Sequence, residues 1–175
     1  MTDQPNIQEL WDRQTIADCL YRYCRGIDRM DEAMLRSVAW PEGKDRHGAF
    51  EGTASGFVDY AMKTLPHIER SVHHVHNILI AFKEGGAAVE AQFTALHRQP
   101  NAEGKLAVFH MCGRYLDWFE KRDGVWKIAD RTVVFDWVEE TAPTPGAHPE
   151  RFGKRQPVGG RFPDDPIYAH LERNA

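Results

Sequence analysis

The strongest constraint on this chain is a change of period at Ser71. Before it, apolar residues recur every three or four positions. After it, they alternate for almost seventy residues. Ile16, Leu20, Tyr23 and Ile27, with Ala17, Tyr21 and Cys24 beside them, give a wide apolar face. That spacing predicts a first helix over Ile7 to Ile27, weakened near its end by Gly26. Asp31 precedes Glu32-Ala33-Met34-Leu35 and suits the N-cap of a short second helix. Thr53 suits the same role for a third helix that carries Phe57, Tyr60, Ala61 and Leu65 and stops near Pro66. Between them lies a Gly- and Pro-containing stretch with at most a short strand around Arg46 to Phe50.

Beyond Ser71, alternation predicts four strands, at 71–83, 87–99, 105–121 and 125–139. Glu84-Gly85-Gly86, Asn101 to Gly104 and Arg122-Asp123-Gly124 separate them. Asp-Gly between alternating runs is a hairpin signal, and three successive hairpins make an antiparallel meander. Helices followed by strands is the α+β pattern, with the helices on one face of the sheet. After Thr141 the chain turns rich in Pro and Gly and carries Arg151, Lys154, Arg155 and Arg161. We read 1–140 as the domain and 141–175 as an irregular arm of that domain, placed over a pocket mouth or against a neighbouring subunit.

At 175 residues the chain is long enough for one domain with its own core. Its net charge of -4 leaves no basic footprint, so nucleic acid is not an expected partner. No apolar stretch reaches membrane-spanning length and MTDQPNIQEL does not read as a signal peptide, which makes a cytoplasmic location the expectation. Cys19, Cys24 and Cys112 fit neither a disulfide framework nor a zinc module.

Four features carry chemistry. Asp28 falls just past the predicted end of the first helix, where negative charge is disfavoured. It continues the apolar stripe if the helical phase persists, and otherwise turns the chain or caps the next helix. In Ser71-Val72-His73-His74-Val75-His76-Asn77, alternation sets His73, Val75, Asn77 and Leu79 on one face and Val72, His74, His76, Ile78 and Ile80 on the other. Two histidines on one face raise a metal site, but no carboxylate is interleaved and no ligand spacing is met; a single base is the preferred reading. His97 and His110 each sit on an otherwise apolar strand face, lining a cavity or meeting a buried partner. Arg131 shares a face with Val125, Ala129, Val133, Phe135 and Trp137, and would bind a substrate anion or pair with a carboxylate.

In four stretches the chain resembles the SnoaL-like superfamily of the nuclear transport factor 2 fold. They are IADCLYRYCRGIDRMDEAML (Ile16 to Leu35), SVHHVHNILI (Ser71 to Ile80), GRYLDWFEKRDGVWKI (Gly113 to Ile128) and Asp164-Asp165-Pro166-Ile167-Tyr168. The likeness runs over roughly residues 7 to 140. Within the superfamily it is nearest the branch of scytalone dehydratase, the bile-acid 7-dehydratases and the lindane dehydrochlorinase. The resemblance implies a cone-shaped, curved antiparallel sheet with the N-terminal helices on its concave face. It implies a cofactor-independent lyase, a dehydratase by preference, in which His73 takes a proton from carbon, Asp28 orients it and Tyr23 assists the oxygen. His97 departs from the acidic residue of the bile-acid enzymes, His110 corresponds to a second active-site His, and Arg131 lies near an Arg of some relatives. The implied partners are a small hydrophobic cyclic substrate and other copies of the chain, as a homodimer or homotrimer, with no membrane and no metal. A ketosteroid-isomerase-like proton shuttle, a dioxygenase small subunit and a binding protein are the alternatives.

Overall fold

A computed structural model describes residues 6–142 and 159–172. Helix α1 (Ile7–Arg29) starts at Asn6, whose side chain accepts from the Glu9 amide, and ends at Met30 in the left-handed region. Helix α2 (Glu32–Val38) is capped by Asp31, and α3 (Ala54–Thr64) by Thr53, as their polar side chains predict. Between them run β1 (Ala39–His47) and β2 (Phe50–Thr53). A single 3-10 turn, Leu65–His67, leads into β3 (Arg70–Lys83), β4 (Gly86–Pro100), β5 (Leu106–Arg122) and β6 (Val125–Thr141). The turns between these long strands fall at Glu84-Gly85, Asn101 to Lys105 and Asp123-Gly124, with Gly85, Gly104 and Gly124 at positive φ.

The sheet has six strands in the order β2-β1-β6-β5-β4-β3. The four-strand meander is antiparallel, as expected. The difference lies in β1, which pairs with β6 in parallel and makes the sheet mixed. Its 9 residues also exceed the short strand expected around Arg46 to Phe50. Pro41 and Gly43 are tolerated there because the register is broken between Ala39 and Lys44.

Three irregularities curve the long strands around the helices. Asn77 in β3 is skipped between His76 and Ile78, and β6 skips Ala129 and Asp136 against β5. Each bulge bends its strand and exchanges its faces. Simple alternation is corrected at both places. Ile78 and Ile80 are partly buried against the core, whereas His74, His76 and Leu79 face outward. In β6, Trp126 and Ile128 join Arg131 and Val133 inside, while Val125 and Trp137 are exposed.

The core is the inner sheet face closed by α1, α2 and α3: Ile16, Leu20, Ile27, Leu35, Phe57, Phe93, Tyr115 and Phe119 are among its buried members. Gly26 is required where α1 meets α2, since a Cβ would lie 2.8 Å from the Leu35 side chain. Gly113 is required because a Cβ there would strike the Phe93 ring at 2.8 Å. The cysteines are free; Cys19 and Cys24 are packed as small apolar groups, their thiols pushed up to about 12 by burial. Of the arm, Arg151, Lys154 and Arg155 lie outside the described residues. Residues 159–172 are not wholly irregular: they hold a short helix, α4 (Pro166–Leu171), and strap the end of α1. The Phe162 amide donates to the Arg29 carbonyl (2.7 Å), Arg29 pairs with Asp165 (3.1 Å), and the Tyr168 hydroxyl donates to Asp31 (3.0 Å).

Arg131 lies at the centre of the inner face with 1% exposure. Its neighbours in register are Asp117 on β5 and Asp45 on β1. Asp117 accepts two hydrogen bonds from it, at 2.8 and 2.7 Å. Removing one charge of such a pair strands the other in a dry site. Asp117→Asn should therefore lower unfolding free energy by about 3–5 kcal/mol, whereas a paired Asp117→Leu, Arg131→Met change should lose much less. Urea denaturation of the two variants beside wild type checks this ordering.

Candidate active site

A cavity of about 220 Å³ opens between the inner sheet face and the helices. Its walls are mostly apolar, with Ile27, Phe57, Phe93 and Met111 among them, and carry three imidazoles, His47, His73 and His97, beside Tyr23 and Tyr115.

Asp28 sits in the last turn of α1, which runs two residues past the predicted end. A carboxylate near a helix C-terminus opposes the helix dipole and needs compensation. It finds this on β3: Asp28 Oδ2 accepts the His73 backbone N–H at 2.8 Å, and Oδ1 accepts from His73 Nδ1 at 2.7 Å. Both side chains are largely buried, at 10% and 8% exposure. An ionised carboxylate only accepts, so Nδ1 carries the ring proton and Nε2 holds a lone pair. His73 lines the cavity, and both residues border a surface groove together with Tyr21, Arg25 and Val72.

Tyr23, on the same helix, lines the cavity at 3% exposure. Its ring meets Tyr115 edge-on at 5.6 Å and covers the Arg131 guanidinium at 4.2 Å. Burial keeps the phenol protonated, far above its ordinary value. His97 stands diagonal to His73 on β4, ring centroids 5.3 Å apart. Its Nε2 is buried with no hydrogen-bond partner among the described residues, and burial with His73 nearby pushes the imidazole down to about 4.

Two expectations are corrected. His110 does not reach the cavity: the β4–β5 register pairs it with Leu96 and pairs His97 with Phe109, so the two histidines lie on opposite faces of the sheet. Arg131 does not line the cavity either, because the Asp117 pair and the two tyrosine rings enclose it. His74 and His76 stack on the outer face at 6.2 Å. Among the described residues no three His, Cys, Asp or Glu side chains converge as a metal site.

The sequence reading passed over His47. It ends β1, stacks on Phe57 at 4.6 Å and 15°, and lines the cavity. Its Nδ1 is buried without a hydrogen bond among the described residues, 3.8 Å from Asp45 Oδ1. Burial, with Arg131 nearby, pushes it down to about 3, and burial pushes Asp45 up to about 7. Asp-x-His in an alternating run was the available signal, obscured by the glycines and proline around it.

These values have a consequence for folding. A histidine held below its unfolded value of about 6.5 is neutral in the native state while the unfolded chain takes up a proton. Stability is then complete above pH 6.5 and falls as pH drops toward the folded value. Asp45 acts oppositely, losing stability as pH rises from about 4 to about 7. Chemical denaturation at pH 7.5 and pH 5 should show His97→Phe losing about 1–2 kcal/mol less than wild type over that interval.

A SnoaL-like domain profile matches residues 8–132. No curated protein sequence matches the chain. Among solved structures, hexachlorocyclohexane dehydrochlorinase LinA type 2 superposes with a TM-score of 0.73 at 22% identity, over 83% of this chain and 99% of that one. A Novosphingobium aromaticivorans protein provisionally named scytalone dehydratase gives 0.67 at 21% identity, over 82% and 94%. A Nostoc punctiforme protein of unknown function with a cystatin-like fold gives 0.59 at 18%, over 72% and 92%. At these identities the structures share the fold, and with the profile match over most of the sequence the chain belongs to the SnoaL-like domain family.

Proposed function

We propose that this protein is a cofactor-independent lyase that eliminates water, or another leaving group, from a small cyclic hydrophobic substrate. The observation that supports this reading is the Asp28–His73 pair on the wall of an apolar cavity, with Nδ1 engaged at 2.7 Å and Nε2 left to act. His73 Nε2 takes a proton from a carbon beside an activating group. The C–H electrons form the new double bond and the C–O bond breaks toward the departing oxygen. Asp28 holds the tautomer and stabilises the imidazolium. Tyr23, kept protonated by burial, donates a hydrogen bond to the departing oxygen. The imidazolium then returns its proton to that oxygen, so water leaves and His73 is neutral again.

The dehydrochlorinase and the provisionally named scytalone dehydratase are, by name, elimination enzymes, which supports the same class for this chain. A cavity, rather than a filled cone, favours a reacting site over an assembly subunit. Leu79, Leu116 and Trp137 are exposed on the long strands, and we expect the outer face they share to be covered in a homodimer or homotrimer. Among the described residues no helix is long and apolar enough to cross a membrane.

The test is turnover of cyclic β-hydroxy ketones, followed by the absorbance of the enone product. His73→Ala should lower kcat by roughly 10²–10⁴, and Asp28→Asn should lower it in the same direction with KM little changed. A His73→Ala protein that retains the wild-type rate would remove the proposal.

A further inference from the structure

The mechanism above leaves one side of the cavity without a task. Abstraction of a proton beside a carbonyl moves charge onto the carbonyl oxygen, and a dry site must meet that charge with a donor. Asp28, His73 and Tyr23 stand on α1 and β3. Across the sheet, β1 places one further imidazole on the cavity wall. We propose that His47 is the electrophilic residue of this site, its Nε2–H donating to the enolate oxygen of a carbonyl substrate, with Asp45 behind it as a positioning residue. The inference rests on the elimination reading and narrows it to substrates with a carbonyl beside the carbon that loses its proton.

Four observations converge. First, the His47 ring is held face to face on Phe57 at 4.6 Å, with the Phe135 ring at 6.4 Å on its edge, so its orientation is set by packing. Second, Nδ1 is the buried nitrogen and faces Asp45 Oδ1 at 3.8 Å, leaving Nε2 as the nitrogen available to the cavity that the ring lines. Third, the row behind His47 is electropositive at its centre. Arg131 sits in register between Asp45 and Asp117, yet among the described residues it hydrogen-bonds Asp117 and leaves Nη1 without a partner. Fourth, burial and that guanidinium keep the imidazole neutral, while burial pushes the Asp45 carboxyl up to about 7, so that much of it stays protonated at neutral pH. A neutral carboxyl beside Nδ1 favours the tautomer with its proton on Nε2. A neutral imidazole donor is suited to polarising a carbonyl, because it stabilises the enolate without first losing a proton to water.

His73 and His47 thus divide the work. As His73 takes the proton, the C–H pair moves into a C=C bond of the enolate and the carbonyl π pair onto oxygen. Oxygen is held by His47 Nε2–H with no proton transferred. When the leaving group departs, the enolate collapses back to a carbonyl conjugated with the new double bond.

The test needs no turnover. p-Nitrophenolate is a planar ring oxyanion that resembles an enolate, and its binding is read by its absorbance. Wild type should bind it, and His47→Phe, which preserves the stack on Phe57, should bind it roughly ten- to a hundredfold more weakly, the range for losing a hydrogen bond to a charged group. His47→Gln, which restores an N–H, should recover most of the affinity. His110→Ala, on the outer face of the sheet, should bind within about threefold of wild type. In wild type, the His47 Nε2 resonance in a ¹⁵N spectrum should move on addition of p-nitrophenolate, which keeps the test informative if His47→Phe does not fold. Equal affinity of wild type and His47→Phe, no binding to wild type at millimolar concentration, or an unmoved His47 resonance would each overturn the role of His47. None of these would touch the elimination reading, which is decided separately by turnover in His73→Ala.

Discussion

The inner face of this fold is organised around a buried cation. A guanidinium removed from water is among the least favourable groups to enclose, and its geometry must be met on every side. Arg131 is met by Asp117 on the next strand, by the Tyr23 and Tyr115 rings at 4.2 and 4.3 Å on its faces, and by Asp45 in register from the other strand. These partners come from α1, β1 and β5, so one charge specifies how the helix and three strands lie together. The cation–π contacts also fix where the Tyr23 ring stands, which in turn sets one wall of the cavity. The neutrality of His47 follows from the same source, since a second positive charge beside a buried guanidinium is doubly disfavoured.

Asp28 plays the corresponding part at the other end of the cavity. Its two oxygens bind the backbone and the ring of one residue, His73. The backbone bond fixes where β3 meets α1, and the ring bond fixes what the imidazole can do. Structural and chemical roles therefore coincide in a single carboxylate. The arm strengthens this junction from outside. Phe162, Asp165 and Tyr168 hold the end of α1 through Arg29 and Asp31, so the helix turn that bears Asp28 is tied down just beyond it.

Much of this was legible in the sequence, for physical reasons. The strand limits follow from turns whose glycines sit at positive φ, and the helix starts follow from Asp31 and Thr53, whose side chains satisfy free amides. Asp28 stood out because a carboxylate at a helix end needs a partner. What escaped was non-local. The bulges at Asn77, Ala129 and Asp136 move Ile78, Ile80, Trp126 and Ile128 inward against simple alternation, and nothing within one strand announces them. The parallel β1–β6 pairing joins segments almost ninety residues apart, so Asp45 and His47 could not be seen beside Arg131. His110 failed on register alone. A shift of one residue between β4 and β5 decides which face a side chain takes, and the observed pairing of His97 with Phe109 sends His110 outward.

The cavity now contains two Asp–His arrangements that differ in one distance. At Asp28–His73 the partners touch at 2.7 Å, beside a surface groove; at Asp45–His47 they stand 3.8 Å apart, behind the apolar wall. The first contact orients an imidazole for proton transfer, because both Asp28 oxygens are held on His73. The second kind favours an imidazole that stays neutral, because it is buried with a guanidinium nearby and the acid beside it is pushed up to about 7. Environment alone thus separates two chemically identical side-chain pairs into a proton acceptor and a hydrogen-bond donor. A site of this size needs both when it takes a proton from carbon, since the base only moves the charge and something across the ring must receive it.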